Sequence, residues 1–302
     1  MSNAVVIAGP TASGKSAVAI NLARQINGEI VNADAMQVYA ELHRLTARPS
    51  PEDEAEIPHH LYGVSPATDI WSAGIFAERA AAVMQSIWDR GAVPIVVGGT
   101  GLWLKALIEG LSPIPDVPPA VVEQGERLWQ GDPDELRRQL LLVDPQMERL
   151  KPADRQRHIR AWSVMTATGR SLSAWQAVPP IKVIDANFTA HVLVPPRADL
   201  YARCNLRFDQ MMTEGVVEEV RALLDLSLPS TLPLMKAVGV PEIAAALRGD
   251  MSWDDATALA KQSTRRLAKR QMTWFRNQTE DWAKYTDAET LLQSAAAAFV
   301  TS

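Results

Sequence analysis

The octapeptide Gly9-Pro10-Thr11-Ala12-Ser13-Gly14-Lys15-Ser16 satisfies G-x-x-x-x-G-K-[ST] between an apolar run at 4–8 (AVVIA) and a helical pattern starting at Lys15. A strand, a glycine-rich turn and a helix N-terminus in succession converge backbone N–H groups and positive potential on phosphate oxygens. Lys15 then bridges the terminal phosphates, and Ser16 offers its hydroxyl to Mg²⁺. The alternative, an ordinary glycine turn, is disfavoured by the strand and helix on either side. Such a cradle binds a polyphosphate without specifying which one. An ATP-binding NTPase, a small-molecule kinase and a transferase using a diphosphate donor all stay open.

The run at 4–8 reads as a parallel strand buried on both faces, and 15–25 as a helix ending at Asn27-Gly28. A second strand at 29–33 ends at Asp34. A helix at 73–89, a strand at 92–97 and a tight turn at Gly98-Gly99-Thr100-Gly101 follow. Strands alternating with helices imply an α/β fold, a P-loop NTPase-like doubly wound parallel sheet. The proline-rich stretch 111–119 (LSPIPDVPP) reads as an exposed linker, and 120–178 as helices, among them 153–168. A return strand at 191–194 precedes Pro195-Pro196-Arg197 and a helix at 199–213, with helix to the end. The expected organisation is a core at 1–112, an all-helical insertion at 113–190 and the rest of the core at 191–302.

No apolar run reaches the roughly 18 residues of a membrane span. The N-terminus shows no basic n-region or cleavage-site pattern, so a cytoplasmic location is expected. The lone cysteine, Cys204, agrees with a reducing compartment and reads as a helix-packing thiol. A net charge of −5 argues against a nucleic-acid partner, but the average hides a segregation: 261–276 (KQSTRRLAKRQMTWFR) holds six basic residues and no acidic one. At helical spacing, Lys261, Arg265 and Lys269 form a stripe with Arg266 and Arg270 beside it. Such a stripe suits an RNA backbone better than a solvated face, which normally mixes signs.

Asp34, at the C-terminal end of a strand beside the cradle, is a candidate base, with a helix N-cap or metal-orienting carboxylate as the alternative. No apolar strand ending in Asp or Glu follows later; 94–97 runs into Gly98-Gly99-Thr100, which weakens a motor-NTPase reading. Gln37 can present donor and acceptor together to a purine edge. His59-His60 is not expected to hold a metal, because adjacent imidazoles do not easily share one ion. Of nine tryptophans, Trp88, Trp162 and Trp175 read as core.

Taken together, GPTASGKS (9–16), NADAMQVY (32–39), VVGGTGLW (96–103), DRQRHIRAWSV (154–164), PPRADLYARCNLRFDQMMTEG (195–215), KAVGVPE (236–242) and RRLAKRQMTWFRN (265–277) resemble the tRNA dimethylallyltransferase (tRNA isopentenyltransferase) family over nearly the whole chain. The resemblance implies that the cradle holds the diphosphate of dimethylallyl diphosphate. It also implies that the prenyl group passes to N6 of an adenine next to the anticodon, tRNA position 37, with release of diphosphate. It assigns Asp34 as base and Thr100 to the junction of donor and acceptor sites. Lys15, Arg197 and Mg²⁺ on Ser16 would stabilise the leaving group. It implies tRNA contacts at Asp34, Ala35, Met36, Gln37 and Thr100, and places Gln156, Arg157, His158, Ile159 and Arg160 against the anticodon stem-loop. Arg265, Lys269 and Arg270 would grip the backbone. A monomer without an obligate protein partner is expected. The chain departs from the family pattern at Arg48, where lysine is usual, at Ser163, and at Val240, where tyrosine is usual. Rivals are a small-molecule kinase, which leaves the basic helix unexplained, an adenine-nucleotide isopentenyltransferase, which needs no insertion, and a non-catalytic RNA-binding protein, which leaves Asp34 and Thr100 idle.

Overall fold

The first strand, β1 (Asn3–Ala8), sends Val5 and Ile7 into one apolar cluster and Ala4, Val6 and Ala8 into another. A strand buried on both faces requires helices on both sides, and the computed structural model, which describes residues 2–300, supplies them. After β1 come α1 (Lys15–Ile26), β2 (Gly28–Asn32), α2 (Pro51–Glu56), β3 (His59–His60), α3 (Ala73–Asp89), β4 (Val93–Gly98) and α4 (Gly101–Ile108). Then follow α5 (Pro119–Gly131), α6 (Pro133–Val143), α7 (Arg155–Thr168) and α8 (Leu172–Gln176). The chain returns through β5 (Asn187–Leu193), α9 (Arg197–Thr213), α10 (Val216–Asp225), α11 (Val240–Arg248), α12 (Trp253–Gln278), β6 (Ala283–Tyr285) and α13 (Ala288–Val300).

The six strands are parallel in the order β3-β2-β4-β1-β5-β6. Val18 and Leu22 of α1 cover one face with Leu291 and Ala295 of α13. Phe76 of α3, Leu104 of α4, Ile243 of α11 and Phe275 of α12 share the cluster on the other. Cys204 is buried with Leu200 and Ala268, between α9 and α12. The turns that follow β1, β2 and β4 all leave the sheet at its C-terminal edge, where open α/β sheets bind ligands. Among the described residues no helix is long and apolar enough to cross a membrane.

The chain divides into two units: a sheet-bearing one up to Ile108 and from Val183 onward, and a helical one, Glu109–Lys182. In the helical unit α7 is central. Its Ala161 and Val164 pack with Leu140, Met147 and Leu172, while Ile159 and Trp162 pack with Leu136. Gly125 of α5 lets the two helices close up, since a Cβ there would lie 3.2 Å from Ile159 and Trp162. The stretch 111–119 is not a free linker. Leu111 and Ile181 exchange backbone hydrogen bonds of 3.2 and 2.9 Å, and Ile114 and Val117 pack against the helical core. Prolines hold that segment extended, which aims the apolar residues between them at the helices. Residues 183–190, read from sequence as part of the insertion, lie in the sheet-bearing unit. The three-residue β6 escapes the expected helical C-terminus because it is too short to show a period.

Candidate active site

The cradle is shaped by close backbone approach. A Cβ on Gly9 would sit 2.6 Å from the Leu193 carbonyl of β5, and Gly14 caps α1 at φ 97°, a left-handed conformation that disfavours any side chain. Lys15 Nζ donates to Pro10 O at 3.3 Å. Burial brings the Lys15 ammonium down to about 8, with Asp34 opposing the shift and Arg207 adding to it. Ser16 is exposed on the first turn of α1.

The cradle opens into a cavity of about 500 Å³ that Gln37, Arg48, Arg203 and Arg207 also line. Arg203 Nη1 donates to Ser13 O at 3.2 Å. Burial lowers the pKa of Arg207, with Asp34 opposing. Arg207 also lines a smaller cavity of about 90 Å³, beside Thr11, Asp34 and Met36. Arg207 therefore faces both chambers, with Lys15 and Asp34 within reach of its field. Neither Arg203 nor Arg207 was singled out from sequence. Their signal was present: four residues apart, they share a face of α9 while Leu200, Cys204 and Phe208 turn inward. Arg197, the cation expected at the diphosphate, instead stacks over Tyr201 at 5.0 Å and does not line the cradle's cavity. It heads α9, more than a turn before the residues that reach the cradle.

Asp34 and Thr100 are held by local networks. Asp34 N–H donates to Asn32 Oδ1 (2.8 Å), and Asn32 Nδ2 donates to Leu61 O (3.0 Å), fixing the turn after β2. Met36 N–H donates to Asp34 Oδ1 (3.0 Å), leaving the other carboxylate oxygen without a hydrogen bond from the described residues. Ala35 N–H donates to Thr100 Oγ1 at 2.9 Å, tying the Asp34 turn to the turn after β4. Gly98 and Gly99 let that turn sit flush, because a Cβ on Gly98 would collide with the Ala33 backbone and one on Gly99 would approach Gly9 O to 3.1 Å.

Gln37 departs from its expected role on its donor side. Its amide Nε2 donates to Thr46 O (2.8 Å) and Ala47 O (2.9 Å), so both N–H groups are spent on the loop, and its carbonyl oxygen is what remains for a ligand. That loop is anchored from afar. The Glu219 carboxylate of α10 accepts the N–H groups of His43, Arg44 and Leu45 at 2.6, 2.8 and 2.9 Å. Arg48, where the family usually has lysine, lies in the cavity and reaches back to Ala40 O at 3.4 Å.

The basic face of α12 is narrower than its sequence implies. Lys261 pairs with Asp209 (2.5 Å), and half-buried Arg265 donates to Asn205 Oδ1 (2.6 Å), both partners belonging to α9. Arg266, Lys269, Arg270 and Arg276 remain exposed. Lys269 and Arg276 line a third cavity of about 400 Å³ with Arg197 and Lys284, and no acidic residue is among its described lining. In the helical unit, α7 exposes Gln156, Arg157 and Arg160 but buries His158 and Ile159. His158, expected at the anticodon stem-loop, instead lies fully buried, packed on Trp129 at 5.4 Å and bonding Asp154 O at 2.8 Å through Nδ1. Among the paired histidines, His60 Nε2 meets Glu29 at 2.6 Å, which Arg90 also pairs.

A doubly wound parallel sheet with this cradle on a central strand is the architecture of P-loop proteins, and the cations gathered around it fit it to a phosphorylated ligand. The chain belongs to the IPP transferase family, whose model matches residues 37–278. A curated tRNA dimethylallyltransferase of Caulobacter sp. (strain K31) is 51% identical over 283 residues, 93% of this chain and 91% of that protein. Its counterpart in Parvibaculum lavamentivorans is 48% identical over 285 residues, 94% of this chain and 90% of the relative. The crystal structure of the full-length tRNA isopentenylpyrophosphate transferase of Bacillus halodurans superposes with a TM-score of 0.72 at 29% identity, covering 100% of this chain and 96% of that one.

Proposed function

We propose that the protein transfers the dimethylallyl group of dimethylallyl diphosphate to N6 of the adenine next to the anticodon in tRNA, releasing diphosphate. The observation that carries this reading is Arg207, which lines both chambers with the Lys15 cradle on one side and the Asp34 carboxylate on the other. A polyphosphate and an acceptor in need of a base can then meet there. As the allylic C–O bond breaks, its electron pair leaves with the diphosphate, whose growing charge meets the cradle amides, Lys15, Arg203 and Arg207. The N6 lone pair forms the new C–N bond, and Asp34 takes the N6 proton. Thr100, held by Ala35, keeps its own hydroxyl proton available to the acceptor.

Among the described residues no group of three or more His, Cys, Asp or Glu could hold a metal ion, but a hydroxyl such as Ser16 with phosphate oxygens and water suits Mg²⁺, which keeps most of its waters. When bound, the ion would neutralise diphosphate charge. The exposed residues of α7 and of α12 read as RNA-backbone contacts, and a monomer in the cytoplasm fits the same reading. The target base must leave its stack to reach a donor held this deep.

The test is direct. Protein, Mg²⁺, dimethylallyl diphosphate and unmodified tRNA are incubated, and the RNA is digested to nucleosides for mass spectrometry. A dimethylallyl adduct on adenosine from the anticodon loop is expected. In parallel incubations supplied with ATP or with free adenine nucleotides, phosphate transfer from ATP with no adduct would support the kinase reading, and an adduct on the free nucleotides alone would place the acceptor outside RNA.

A further inference from the structure

The cradle and the turn carrying Thr100 belong to different strands, β1 and β4, and both must hold their spacing if a leaving group and a nucleophile are to align. One side chain joins them. Gln271, on the inward side of α12, accepts Thr11 N–H on Oε1 at 2.9 Å and donates from Nε2 to Gly99 O at 3.0 Å. The direction of both bonds is dictated by the backbone: Thr11 presents a donor and Gly99 an acceptor, so a primary amide satisfies both and a carboxylate or an apolar side chain cannot. The surrounding glycines agree. A Cβ on Gly99 would collide with the Gln271 amide, and one on Gly101 would collide with the Trp274 ring, one turn further along α12. The helix therefore docks on the turn where Gly99 and Gly101 leave room for the Gln271 amide and the Trp274 ring.

We propose that Gln271 is a positioning residue for prenyl transfer: by bridging Thr11 and Gly99 it fixes the separation between the diphosphate cradle and Thr100. This rests on the function proposed above. Gln271 acts through these two backbone segments and need not touch either substrate. Loss of its bridge leaves binding groups in place but loosens their alignment, an effect that falls on the chemical step, where displacement by about 1 Å costs on the order of 10²-fold.

The experiment compares wild type, Gln271→Met and the isosteric Gln271→Glu in adduct formation on tRNA, with Thr100→Ala alone and combined with each. Both Gln271 variants are expected to lower kcat about 10- to 100-fold, while KM for the donor and for tRNA moves by less than about 3-fold. In the Thr100→Ala background the same change at Gln271 is expected to cost far less than alone, because residues acting as one unit are not additive. Thermal melting identifies a variant that does not fold, and Gln271→Glu, which retains the acceptor for Thr11, keeps the comparison valid if Gln271→Met fails. Unchanged kcat, a loss confined to KM, or full additivity with Thr100→Ala would overturn the proposal. Absence of adduct in wild type would instead overturn the function on which it rests.

Discussion

Asp34 carries one hydrogen bond from Met36 and has a second carboxylate oxygen without one from the described residues, which suits it to accept a proton. Asp34→Asn preserves shape and removes basicity. It is expected to lower kcat by ~10²-fold or more while titration calorimetry shows donor affinity changed little. Lys15 makes a pH prediction. In the proposed function its charge meets the diphosphate, and in the donor-free protein that charge is lost as pH rises through about 8. kcat/KM for the donor should therefore decline above pH 8. kcat should hold to higher pH, since bound diphosphate raises the lysine's pKa. A flat kcat/KM profile between pH 7 and 9.5 would contradict this. Stability moves the opposite way. The folded value lies below the ordinary 10.5, so the unfolded chain holds more protons between the two, and this group's contribution to stability rises with pH across that window. Falling activity there is not unfolding driven by Lys15. At this scale the places of the cradle and Asp34 beside strand ends were legible because each ends or follows a strand at a punctuating turn, whereas Thr100 was pointed to by the family resemblance alone. Arg203 and Arg207 were obscured because a helix carries several arginines and sequence alone does not say which face meets the ligand.

At the scale of elements, α12 presents two different faces. Ser252 caps it by accepting Asp255 N–H at 3.1 Å, and Asp254 and Asp255 favour its positive end. Its inner face holds Gln271 and Phe275, and its outer face exposes Lys269, Arg270 and Arg276. Lys269→Ala combined with Arg276→Ala should raise KM for tRNA and lower the salt dependence of binding by about two units of log–log slope, one per phosphate contact, with donor KM unchanged. An unaltered salt slope would remove these residues from the RNA contact. The inference of a basic stripe from sequence was right about charge and incomplete about partners: α9 supplies Asp209 and Asn205 to Lys261 and Arg265 from about 50–60 residues away, a pairing no local pattern reveals. The loop at 43–47 shows the same lesson. Its anchor Glu219 lies 174 to 176 residues distant. Glu219→Ala leaves three backbone N–H groups without that acceptor and should impair both substrates, since Ala47 lines both cavities. Initial-rate kinetics on each substrate checks this.

For the whole molecule, alternation of buried strands with helices was enough to read a doubly wound parallel sheet, because a strand covered on both faces has few other homes. The strand order was not readable, since β1 sits beside β4 and β5, which lie far from it in sequence. Nor was the edge of the helical unit, where prolines that look like a linker serve as packing segments. In the function proposed, a phosphate cradle common to many nucleotide-binding proteins stabilises a leaving group. The most direct measurement counts inorganic diphosphate and prenylated adenosine in the same reaction with dimethylallyl diphosphate and tRNA, without ATP. One diphosphate released per adenosine modified is the predicted result. Diphosphate release without adduct, or a requirement for ATP with release of orthophosphate, would contradict it.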